Sequence, residues 1–121
     1  MASHVSIINV FSSLAMTTSE VITHTINLDR YDAEGFYSLQ IDLVGTGNVD
    51  VTWAISNDGE NFITPADADD IFTAFGEASG PDSDGLDIAS FDTPLSKYIK
   101  IIATGQGAGA ITSIDCHLAL Q

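Results

Sequence analysis

Positive charge is scarce in this 121-residue sequence: Arg30, Lys97 and Lys100 stand against 17 acidic residues, for a formal charge of -14. A surface so acidic repels phosphate backbones and anionic lipid headgroups, so neither nucleic acid nor membrane is expected as a partner. Cysteine is scarcer still. The lone Cys116 has no partner for an intramolecular disulfide, so the fold must hold without a covalent staple and suits synthesis in a reducing cytoplasm. No apolar run approaches the ~20 residues that a membrane-spanning helix needs. Residues 5–16 are fairly apolar, but no Lys or Arg precedes them and Asn9, Ser12 and Ser13 interrupt them. They are therefore expected to belong to the mature chain and not to a signal peptide. Sustained helical periodicity is also missing, with one turn at residues 66–71 as the sole exception.

What the chain does contain is alternation. Hydrophobic residues make up 45% of it, enough at this length for one domain with a true core. Tyr37, Leu39, Ile41 and Leu43 alternate with polar residues, and so do Val49, Val51, Trp53 and Ile55. Each run predicts a half-buried strand. The short link Gly45-Thr46-Gly47 predicts a hairpin joining them as an antiparallel pair. Further strands are expected within residues 5–10, 21–28, 71–75, 97–103 and 111–120, and residues 65–94, rich in Gly, Pro and Asp, read mainly as surface loops. About eight short strands with such punctuation predict an all-β, antiparallel β-sandwich of jelly-roll-like form. Residues 1–18 form an N-terminal arm or edge strand, and 19–121 the single sandwich domain. Leu39, Ile41, Leu43, Val51, Trp53, Ile55, Ile99, Ile101, Ile114, Cys116 and Leu118 are the expected core.

One phrase needs its own account: SNDGENF, residues 56–62. Asn57 and Asp58 suit turn conformations and Gly59 a positive φ, which predicts a hairpin tip with a three-residue loop and a G1 bulge. Phe62 then points to the outer, more polar face; one more loop residue would turn it into the core beside Ile55.

No catalytic constellation is present. His4, His24 and His117 are far apart in sequence and fit no metal-binding spacing, and His24 shares a strand face with Ile22 and Ile26. No nucleophile elbow accompanies the many Ser and Thr residues. Asp67, Asp69 and Asp70, with Asp82, Asp84 and Asp87, are oxygen-rich candidates for calcium, but they lack the ligand spacing and bidentate Glu of an EF-hand. Solvated loops that keep the protein soluble are the simpler reading. The expectation is a protein that is not an enzyme, with no cofactor.

The pattern GTGNVDVTWAISNDGENF, then a Pro-containing loop and KYIKIIATG, resembles small β-sandwich structural proteins of tailed bacteriophages, over residues 36–120. The resemblance implies a virion component made in the host cytoplasm, a capsid decoration or head or tail accessory protein with no catalytic residues to carry over. Its partners would be copies of itself, with a trimer favoured, and other virion proteins. The alternative is a carbohydrate-binding β-sandwich module, with a glycan on a platform drawn from Phe62, Phe72, Phe75 and Phe91 and with Asp and Asn on its hydroxyls. Interaction is expected at Phe62 and Phe72 and at an N-terminal segment, where Val5, Ile7, Ile8 and Val10 place apolar side chains on both faces.

Overall fold

The alternating runs at residues 36–45 and 48–56 do form strands, but the two do not pair with each other. In the computed structural model, which describes residues 5–31, 35–107 and 109–121, there are eight strands. They are β1 (Ser6–Met16), β2 (Val21–Asn27), β3 (Phe36–Gly45), β4 (Asn48–Ser56), β5 (Phe72–Phe75), β6 (Leu86–Asp92), β7 (Tyr98–Gln106) and β8 (Ile111–Leu120). The first sheet has the order β1-β8-β3-β6 and the second β2-β7-β4-β5. All pairings between these strands are antiparallel. Consecutive strands thus alternate between sheets in most of the chain, the arrangement of a jelly roll, and the sandwich expectation holds.

The expected β3–β4 hairpin is replaced by a crossover from one sheet to the other. β3 already has β8 and β6 on its two sides, and β4 has β7 and β5. Both strands bury one apolar face, so placing them in opposite sheets turns those faces toward a common core. Glycine makes the crossing possible. Gly45 has φ +135°, and a Cβ there would fall 2.6 Å from the Thr112 nitrogen. The N–H groups of Thr46 and Gly47 both donate to the Ala110 carbonyl, at 3.1 and 3.0 Å, and tie the crossing to the turn before β8.

The core lies between the sheets. Leu39, Ile41, Leu43, Ile114, Cys116 and Leu118 face Val49, Val51, Trp53, Ile99, Ile101 and Ala103, and all are buried. Each large aliphatic side chain removed from water stabilises by ~1.5–3 kcal/mol before entropy is counted. Of the expected core, Ile55 alone is only partly buried; it lies one residue from the end of β4 and forms an isolated bridge with the exposed Ile63. Residues 65–94 are not all loop, since β5 and β6 lie within them. β6 escapes the periodicity test because Leu86 and Ile88 point outward, whereas Ala89 and Phe91 pack against the core.

β1 is an edge strand. It pairs with β8 from Ser6↔Leu120 to Met16↔Ile111, with three register irregularities, and places Val10, Phe11 and Met16 in the core. At one of these irregularities, Ser13 takes φ +51° and donates its N–H to Asp115 Oδ1 at 2.8 Å. Among the described residues no helix is long and apolar enough to cross a membrane.

Candidate binding surfaces

The SNDGENF loop is organised by a carboxylate. Asp58 Oδ1 accepts from the Ser56 hydroxyl (2.8 Å), the Glu60 N–H (2.9 Å) and the Asn61 N–H (2.8 Å), and Oδ2 accepts from the Asn61 amide (2.7 Å). These donors, the Asn61 backbone N–H first, hold the Asp58 carboxyl well below the usual carboxylate range. Ser56, the one buried polar residue of the described chain, is also satisfied as an acceptor: its hydroxyl receives the N–H groups of Asp58 and Gly59. The loop therefore runs from Ile55 to the facing Ile63, whose backbones exchange two hydrogen bonds at 2.9 Å. That is longer than the expected three-residue tip, because the Asp58 side chain supplies the hydrogen bonds that a tight turn would take from backbone.

The aromatic that follows the turn belongs to the outer face of the second sheet. The Phe62 ring meets Tyr98 edge-on at 6.5 Å, and the Lys100 ammonium sits 4.1 Å from its centroid. Lys100 is the register partner of Ala54, so of the two alternatives for Phe62, the one beside Ala54 is found. Gly59, with φ +77°, lies against the same Tyr98 ring, which a Cβ would approach to 3.2 Å.

An open cleft of about 670 Å³ separates this β4–β5 connection from the end of β6. Trp53, Ile71 and Phe91 line it, with Pro65 and Pro94 at its sides and Asp67, Asp69, Asp70 and Asp92 around it. Phe91 stacks on Tyr37 at 5.1 Å and on Trp53 at 6.3 Å, in near-parallel geometry. Burial raises the Tyr37 hydroxyl pKa, against a smaller lowering by a hydrogen bond with Thr93. The loop wall is pinned at both ends: Thr64 Oγ1 donates to the Trp53 carbonyl at 2.7 Å, and the Ile71 N–H donates to the Val51 carbonyl at 2.7 Å.

The outer face of the first sheet is the other notable surface. Val5, Ile7, Phe36, Val44, Leu86 and Ile88 are all exposed there or at its margins. Its centre is polar, where His117 Nδ1 lies 2.6 Å from Asn9 Oδ1.

The sequence-predicted site residues are scattered by this fold. Val5 and Ile7 are exposed and Ile8 is partly buried, but Val10 at 4% and Phe72 at 6% exposure lie in the core and offer no surface. Phe72 packs on Phe75, which is equally buried, with ring centroids 5.1 Å apart. Phe62, Phe72, Phe75 and Phe91 therefore do not form one platform. Asp67, Asp69 and Asp70 flank the cleft, whereas Asp82 and Asp84 lie in the β5–β6 loop, where Asp84 receives the Leu86 N–H. Among the described residues no three acidic, His or Cys side chains are grouped to hold a metal. His24 is partly buried next to Ile26, as its strand parity implies, and His4 lies outside the described residues. Asp92 and the edge of Trp53 were not legible as cleft residues, since only the β3–β6 pairing carries Asp92 to that position.

No family model matches the chain, and no curated protein matches its sequence. Fold and surfaces define the class: an antiparallel jelly-roll sandwich with one acidic, aromatic-lined cleft and one partly apolar sheet face.

Proposed function

We propose that this chain is a non-catalytic structural protein of a tailed-bacteriophage particle, a capsid decoration or head or tail accessory protein that acts through self-assembly and docking. The observation that carries the reading is the outer face of the β1-β8-β3-β6 sheet. Apolar side chains exposed on its strands, with β1 and β6 as free edges, are what a subunit offers to a neighbour. The jelly roll supports the reading only by analogy, because viral capsid domains and lectins both use it. The SNDGENF and KYIKIIATG phrases add the resemblance already described.

Charge sets how such contacts must work. At -14, copies repel one another, so assembly, with a trimer favoured, rests on apolar contact and tightens as salt screens the repulsion. Proteomics of purified particles from the phage or prophage that carries this sequence tests the assignment. Recovery at a copy number set by the particle's symmetry is the expected result; absence from the particles refutes it. The carbohydrate-binding alternative loses Phe72 and Phe75 to the core and keeps the Trp53–Phe91 cleft and Phe62 on the outer face of the second sheet.

A further inference from the structure

The cleft beside Trp53 is where shape and charge coincide. Its floor is apolar, from Trp53, Phe91 and Ile71, and its rim carries the exposed Asp67 and Asp69. Those two carboxylates accept no hydrogen bond and pair with no cation among the described residues, in contrast to Asp70, which receives the Thr73 hydroxyl. Nor are they grouped to hold one metal ion, so their complement is an extended cationic group. The chain's own cations are placed elsewhere. Lys97 pairs with Asp29 at 3.4 Å, Lys100 covers Phe62, and Arg30 lines a separate groove with His24 and Tyr31.

We propose that this cleft is the docking groove for a basic segment of another protein. An arginine or lysine side chain matches it part by part, its aliphatic stem lying along the apolar floor while its cation meets the rim carboxylates. The hydrogen bonds from Thr64 and Ile71 fix the wall beforehand, which lowers the cost of ordering the site on binding. The inference stands whether or not the chain is a virion protein, because it rests on the cleft and its charge alone.

Trp53 is the only tryptophan, so its fluorescence reports on the cleft directly. Titration of the full chain with a tetra-arginine peptide should give a saturable fluorescence change that weakens with added salt, while tetra-glutamate gives none. A polyanion attracts cations everywhere, so the deciding comparison is between two variants that lose the same charge. Asp67→Asn/Asp69→Asn should weaken binding by about tenfold, and Asp82→Asn/Asp84→Asn by less than about twofold. Equal weakening in both variants, or no saturable change at millimolar peptide, overturns the groove. A fluorescence change with maltohexaose in place of the peptide would reassign it to a glycan and overturn it equally. Circular dichroism of both variants distinguishes lost binding from lost fold.

Discussion

Asn57 Oδ1 accepts the backbone N–H of Lys97 at 2.9 Å, across 40 positions of sequence. One side chain of the SNDGENF loop thereby fastens the β6–β7 connection, and Gly59 and Phe62 close on Tyr98 one residue further along. This relates the two phrases of the sequence that stand out most. Asn57→Ala should lower stability by ~1 kcal/mol, the net worth of one such bond, and speed amide exchange at Lys97 in particular.

Asp58 carries a pH signature of its own. Its carboxyl is held below the ordinary value of 3.8 by donors in the folded loop. A depressed folded-state pKa contributes stability that is fully present above 3.8 and is lost as pH falls from there through the folded value. Asp58→Asn should therefore melt below the parent protein at neutral pH, and the gap should close under acid. A carboxyl carbon resonance for Asp58 that titrates near 3.8 would contradict this.

Trp53 is buried to 5% exposure and stacks on Phe91. Trp53→Ala removes the largest side chain at the junction of core and cleft and should cost ~3–5 kcal/mol, part transfer and part cavity. Urea denaturation checks it, and an unchanged midpoint would contradict the packing.

Gly45→Ala tests the crossover between sheets. With φ at +135° and the Thr112 nitrogen 2.6 Å from where a Cβ would lie, the site leaves no room for a side chain. Strain of ~1–3 kcal/mol is expected from the backbone alone. By contrast Gly107→Ala, where nothing lies within 4 Å of the added carbon, should cost less, with its positive φ as the only penalty. Thermal melts of the two variants check the order, and equal losses would contradict it.

Cys116 should be silent in the native protein. Burial first, then the charge of Asp115, pushes its thiol up to about 12, and thiolate is the reactive form. A thiol reagent at mildly alkaline pH should label it only as the protein unfolds, so the labelling rate measures opening of the core. Rapid labelling of folded protein would contradict its placement.

Strand alternation was legible in the sequence because it is local: Leu39, Ile41 and Leu43 announce their buried face wherever their partners lie. Pairing is not local. A short glycine link permits either a hairpin or a sheet-to-sheet crossing, and the presence of β8 and β6 beside β3 decides between them. Loop length after Ser56 failed for a related reason, since Asp58 acts as a side-chain substitute for backbone bonds. The cleft was the least legible feature. Asp67 and Asp69 stand out as a cluster, but Phe91, which shares the cleft with them, arrives only through the register of an edge strand whose outward Leu86 and Ile88 disguise it.

The placement of β8 between β1 and β3 bears on how the molecule comes into being. Its Asn9–His117 contact joins positions 108 residues apart, and β8 is last in chain order. During synthesis β1 and β3 therefore wait, with their shared neighbour still inside the ribosome, and the first sheet cannot zip until that strand emerges. Such distant pairing makes for slow folding. A nascent chain arrested before residue 111 should remain protease-sensitive over β1, whose strand partner is β8, then gain resistance in one step once β8 has cleared the exit tunnel.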